Sequence, residues 1–149
     1  MSDNWMIVIP FDPLVVPPKA CAEAAFALLT TMRPEAQDPE LYLSDKPEFF
    51  DCGSNFGNVF CAFCGTDIME WWREPFKAWW DSGDRRNLSV QTPCCGRATT
   101  LSDLDYDRPQ GMACVAISLM NPCADLEPEE RLKVEAALGL PLRIIWRHI

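Results

Sequence analysis

Cys61-Ala62-Phe63-Cys64-Gly65 is the segment of this 149-residue chain whose chemistry is easiest to name. A C-x-x-C-G turn points two thiolates at one ion. Its backbone N–H groups can donate to the sulfurs, and its glycine takes a φ > 0 position. Downstream stands Pro93-Cys94-Cys95-Gly96, a second cysteine pair followed by a second glycine. Thiolates from two such turns are the donor set of a structural zinc ion, and the expected ligands are Cys61, Cys64, Cys94 and Cys95. The second pair has no residues between its cysteines, where two are usual. Adjacent cysteines sharing a metal should strain the backbone, so Cys52, in Asp51-Cys52-Gly53, is kept as a substitute for Cys94 or Cys95.

The other cysteines carry less. Cys21 and Cys114 fall on expected core faces, where a free cysteine is a small hydrophobe, and Cys123 reads as a loop thiol. Cys61-x-x-Cys64 is also the spacing of a redox dithiol, which sits at a helix N-terminus that lowers the thiol pKa. Here the capping residues begin only at Asp67, and a second cysteine pair is at hand, so metal binding is the stronger reading. A thiol-based redox enzyme using Cys61/Cys64 or Cys52 is the alternative. No catalytic residue is assigned. The single histidine, His148, is penultimate, a poor place for a general base. A hydrolytic zinc keeps an open, typically His-rich site, whereas all-thiolate coordination argues for structure. Asp103-x-Asp105-x-Asp107 fails as a calcium loop, because Arg108 stands where glycine is needed and Cys114 where glutamate is. It reads as a solvated acidic connection.

Composition narrows the partners. The net charge is −9, with eight acids against three bases over residues 1–50, six against five over 51–100, and eight against five over 101–149. Such a chain repels phosphate backbones and anionic lipid heads, and its longest basic run is Arg85-Arg86, so no nucleic-acid partner is expected. The apolar stretch from Trp5 to Val16 is interrupted by Pro10, Asp12 and Pro13 and preceded by no basic residue. It is read as neither a signal peptide nor a membrane span. The expected compartment is therefore the cytoplasm, where eight cysteines serve as thiols and metal ligands rather than as disulfides.

The elements that must position the cysteines follow from periodicity. Met6–Ile9 is a continuous apolar run, as in a buried strand. Pro17-Pro18 opens a helix whose inner face is Cys21, Ala25, Leu28, Leu29 and Met32, ending before Pro34. Residues 34–47 are rich in proline and acid, with Leu41-Tyr42-Leu43 a short strand and Phe49-Phe50 the opening of another. Asp67-x-x-Glu70 resembles a capping pair for a helix that puts Ile68, Met69, Trp72, Phe76, Trp79 and Trp80 on one broad face. Pro75 should kink that helix or start a second one. Leu88 and Val90 alternate as in a strand, Met112–Leu119 is a second buried strand, and Asn121-Pro122 breaks it. Leu126-Glu127-Pro128-Glu129-Glu130 opens a helix that runs to Leu138 and stops at Gly139. Leu142–Trp146 is the closing strand.

That order predicts a single α+β domain over residues 1–149: a ferredoxin-like βαββαβ sandwich. The cysteine-rich segment, 52–97, is inserted between the second and third core strands. A less regular α+β domain competes with it, because the second strand is poorly defined.

With the two C-G turns, the segment resembles a zinc ribbon with a helix between its knuckles, which implies a structural Zn2+. Asp51-Cys52-Gly53-x-Asn55, Pro93-Cys94-Cys95-Gly96, Leu101-x-Asp103-Leu104-x-Tyr106-Asp107 and Leu138-Gly139-x-Pro141-Leu142-Arg143-x-Ile145-Trp146 are similar to pieces of a family of small uncharacterised bacterial proteins. Some members carry a sugar ABC transporter ATPase label. The chain has no G-x-x-x-x-G-K-[ST] loop and hence no phosphate cradle to match that label. The expected role is an acidic, zinc-stabilised protein-interaction module. An antitoxin-like inhibitor steered toward a basic partner is one version. Trp72 and Trp79 are expected in the core, while Trp71 and Trp80 are open between core and partner-binding surface.

Overall fold

In the computed structural model, which describes residues 2–149, the run Met6–Ile9 lies inside β1 (Asn4–Pro10). There follow α1 (Lys19–Met32), β2 (Gln37–Phe50), β3 (Val59–Phe60), α2 (Met69–Trp80), β4 (Ser89–Gln91), β5 (Ala98–Thr100), a 3-10 turn at Leu101–Asp103, β6 (Asp105–Tyr106), β7 (Gly111–Met120), α3 (Pro128–Leu138) and β8 (Leu142–His148). The long strands form one four-stranded antiparallel sheet in the order β2-β7-β1-β8.

Alternation along the strands sorts side chains to two faces. Met6, Val8, Val115, Ile117 and Leu119 pack beneath the helices, against Ala22, Ala25 and Leu29 of α1 and Val134 and Leu138 of α3. Ile7, Ile9, Ala116 and Ile145 line the opposite face with Phe50, Trp5 and Tyr42. β7 is buried over nearly its whole length, because both of its faces are covered. The segment between β2 and β7 carries a core of its own, with Val59, Ile68, Trp72, Trp79, Leu88, Leu101 and Leu104, and it meets the sheet at Phe49 and Met112.

The helix ends follow their end signals. Pro18 caps α1, and Arg33 leaves the helical region at φ −130° ahead of Pro34, which disfavours helix in the residue before it. Ala22, not Cys21, takes the innermost position of α1, and Cys21 is half-buried. In α3 the Glu127 and Glu130 side chains form a reciprocal capping box, and Gly139 ends the helix at φ 81°.

Two expectations are corrected. α2 runs through Pro75 as one helix, so no second helix starts there. The proline removes the N–H that would have met the Trp71 carbonyl, and burial of Trp72 and Trp79 on either side holds the helix together. The second strand is not short. β2 spans 14 residues, and its register against β7 shifts between Gln37 and Glu40 and between Leu43 and Glu48. Pro39 and Pro47 fall inside those two gaps, where a residue without an N–H cannot hold the ladder. Among the described residues no helix is long and apolar enough to cross a membrane.

Candidate metal centre

Each cysteine pair sits at the tip of a narrow hairpin. Phe60 pairs with Asp67 around the first turn, and β4 pairs with β5 around the second. In the first, Cys61 N–H donates to the Thr66 carbonyl at 2.9 Å and Gly65 N–H to the Cys61 carbonyl at 2.9 Å. In the second, Thr92 N–H donates to the Arg97 carbonyl at 3.0 Å and Gly96 N–H to the Thr92 carbonyl at 2.9 Å. The two turns are therefore one structure used twice, with Cys61, Cys64 and Gly65 matched by Thr92, Cys95 and Gly96. Gly65 and Gly96 close them at φ 74° and 67°. Thr92 fills the first-cysteine position and Cys94 the position of Phe63.

This removes the expected strain. The adjacent cysteines share a relaxed turn whose left-handed residue is the glycine, and no non-glycine residue of either turn has a positive φ. The sulfurs of Cys61, Cys64, Cys94 and Cys95 all lie within 4.8 Å of one another. Cys61 Sγ is 3.7 Å from Cys95 Sγ, and Cys64 Sγ is 3.3 Å from Cys94 Sγ. A tetrahedral zinc with bonds of about 2.3 Å spaces its sulfurs about 3.8 Å apart, so the donor set and its size fit such an ion.

The surroundings favour thiolates at Cys61 and Cys64 and disfavour one at Cys94. Turn N–H groups of Cys64 and Phe63 are the main cause that brings the Cys61 thiol down to about 6. The Thr66 hydroxyl, 3.1 Å from Cys64 Sγ, lowers that thiol as well. Desolvation, and then the crowding sulfurs of Cys64, Cys61 and Cys95, push Cys94 up to about 12. A cation among the four would relieve that crowding and take the place of the protons. Thr92 Oγ1 lies 3.2 Å from Cys95 Sγ while accepting from Arg97 N–H. Thr66 and Thr92, each beside one sulfur, are the functional residues that cysteine counting missed. The readable sign was Thr-x-x-Cys-Gly set beside Cys-x-x-Cys-Gly.

Cys52 lies outside this group and is not a substitute ligand. It is buried, its N–H donates to Gln110 Oε1 at 3.1 Å, and its carbonyl accepts from His148 N–H at 3.2 Å. Burial raises its thiol pKa. Gly53 next to it has φ 70°, and a Cβ there would stand 2.1 Å from the His148 carbonyl oxygen, so both conformation and space require glycine. Arg147 closes the same junction on Asp51 at 3.3 Å. The Asp51-Cys52-Gly53 motif thus ties the cysteine-rich segment to the edge strand β8. His148 serves that tie through its backbone and turns its ring to Asn4. Cys114 is buried as expected, and Cys123 is exposed beside Glu35. Asp103 and Asp107 diverge, to Thr100 and to Asn58 N–H. Among the described residues the four cysteines form the one metal-capable group.

Trp72 and Trp79 are buried, Trp72 donating to the Tyr106 hydroxyl and Trp79 to the Arg85 carbonyl. Trp71 is half-buried. Trp80 is 43% exposed, with the Arg85 guanidinium 3.9 Å from its ring centre. Compared with protein-family models, curated proteins and solved structures, the chain matches none.

Proposed function

We propose that this chain is a cytosolic, zinc-stabilised protein-interaction domain: a ferredoxin-like sandwich carrying a zinc-ribbon-like lobe, in which Cys61, Cys64, Cys94 and Cys95 hold a structural Zn2+. The observation that carries the reading is the clustering of four sulfurs at the tips of two like turns. Cluster and lobe core adjoin, since Cys61 belongs to the same apolar group as Trp72 and Leu88. An ion there would fix the lobe rather than expose an open coordination site.

The interaction role draws on the surface next to the cluster. A groove of about 560 Å³ lies between the second knuckle and the start of α2, its lining including apolar Ile68, Met69 and Trp71 and acidic Asp67 and Glu70. A lining that mixes apolar and acidic side chains suits a segment carrying both basic and apolar side chains. A net charge of −9 speeds encounter with a basic partner.

The test is metal analysis followed by capture. The purified chain should carry one zinc, and chelation should unfold the lobe. Tagged protein should then retain a basic partner from the native host that a Trp71→Ala variant loses. A metal-free protein whose Cys61 reacts as a low-pKa thiol with a disulfide substrate would instead establish the redox reading.

A further inference from the structure

A cleft of about 620 Å³ opens between β8, the Asp105–Gln110 stretch and Phe11. Its most confined charge is Arg143. One guanidinium nitrogen donates to the Gln110 carbonyl, and Cζ lies 5.0 Å from the centre of the Phe11 ring. The group lies so low over Gly111 that a Cβ there would meet Nη1 at 3.0 Å. Three neighbours therefore seat the cation, and none is negative. Arg33, Arg131 and Arg147 pair with Glu130, Glu135 and Asp51, but among the described residues no carboxylate reaches Arg143.

Gln110, also lining the cleft, is fully buried. Its Oε1 is taken by Cys52 N–H, and its Nε2 has no partner. Burial disfavours the cation, Asp103 offsets this only through its field, and a half-buried cation in no direct ion pair is costly. A bound carboxylate offsets that cost by forking onto guanidinium N–H groups that the Gln110 carbonyl does not take. The remaining lining is mixed. Phe11, 47% exposed, Leu104 and Ile144 are apolar, Asp105, Asp107 and Asp125 are acidic, and Arg108 and Arg131 are basic. Asp107 and Asp125 already accept backbone N–H groups from Asn58 and Leu126. Asp105 makes no such bond among the described residues. Acids and bases interleaved around one cleft suit a ligand that carries both signs, an ammonium beside the carboxylate, better than a multiply charged anion.

We propose that this cleft binds a small α-amino-acid zwitterion with an apolar side chain, its carboxylate on Arg143 and its ammonium toward Asp105. The volume lies within the range of small-molecule sites. The proposal is independent of the cysteine cluster and of the partner groove.

The experiment titrates the full, zinc-loaded chain with L-leucine and follows the Arg143 Nε–H and Gly111 N–H resonances. Saturable shifts are expected. Isovalerate, which lacks the ammonium, should bind about tenfold more weakly, and isoamylamine, which lacks the carboxylate, should move neither resonance. Arg143→Lys keeps the charge and should keep the melting temperature, yet weaken leucine about tenfold through loss of the fork. The assignment is overturned if leucine does not saturate, if isoamylamine binds as well as leucine, if inorganic phosphate takes the site in its place, or if Arg143→Lys binds leucine like wild type.

Discussion

Thr92 stands to Cys95 as Cys61 stands to Cys64. Each pair opens and closes a turn with the same two backbone hydrogen bonds and the same trailing left-handed glycine. In a regular pair of knuckles all four positions would be cysteine. Here the fourth sulfur comes from Cys94, inside the second turn. Cys61, Cys64 and Cys95 therefore offer sulfurs from geometrically regular positions, and Cys94 would be the ligand most easily replaced. Cys94→Ser should retain one zinc per chain but release it to a chromogenic chelator at least about tenfold faster than wild type. Adding Thr92→Cys to Cys94→Ser should restore slow release, since it completes the regular set. Equal release from the single and double variants would show that the two turns are not interchangeable.

Loss of the metal should be felt locally before it is felt globally. The lobe core of Val59, Ile68, Trp72, Trp79 and Leu88 is separate from the cluster beneath α1 and α3 and meets the sheet mainly through Phe49 and Met112. Cys61→Ser, or chelation of wild type, should expose the amides of residues 59–106 to hydrogen exchange while β1 and the inner part of β7 stay protected. Uniform loss of protection through all four long strands would mean that lobe and sheet fold as one unit.

The outer frame was legible because its signals are local. Pro128, Glu130 and Gly139 bracket α3, and Met6–Ile9 and Met112–Leu119 are apolar runs of strand length. β2 was hidden, since its identity comes from pairing with β7 while Pro39 and Pro47 break the pattern that would announce it. The four clustered cysteines were legible from type and spacing, and the turn register was not. Counting from Cys94 makes the second pair look strained, whereas the backbone counts from Thr92, whose side chain gives no cysteine signal. Cys52 was misplaced for a related reason. Proximity in sequence to Cys61 suggested a shared ion, but Gly53 presses the chain onto His148 and commits Cys52 to that junction.

That junction makes Gly53 the most demanding glycine in the chain. Gly53→Ala would add a Cβ 2.1 Å from the His148 carbonyl oxygen, which is backbone and cannot swing away. Gly139 has a similar positive φ but open space around its Cβ position, so Gly139→Ala isolates the conformational cost alone. Gly139→Ala should cost about 1 kcal/mol by urea denaturation. Gly53→Ala should cost at least about 2 kcal/mol more, because the tie between β8 and the lobe must open as well. Equal losses would show that the junction yields without cost.

Glu130 ties α3 to the end of α1, and this contact should be visible in the acid limb of stability. Its carboxylate accepts two hydrogen bonds from Arg33, at 2.9 and 2.8 Å, and one from Glu127 N–H. Arg33 above all holds the Glu130 pKa down to about 2. In the unfolded chain a glutamate titrates near about 4.3. The folded value is the lower one, so between the two the unfolded state binds more protons. The stabilisation is complete above the ordinary glutamate value and drains away as pH falls toward about 2. Glu130→Gln removes the charge, leaves the buried Arg33 guanidinium without its counter-charge, and abolishes this titration. The variant should be less stable than wild type at pH 6, and the gap should hold to about pH 5 and then shrink as both are titrated to about pH 2.5. Taking the difference between the two chains cancels every other carboxylate and the thiols. A gap that stays constant across that range would mean that Arg33 does not favour the ionised form of Glu130.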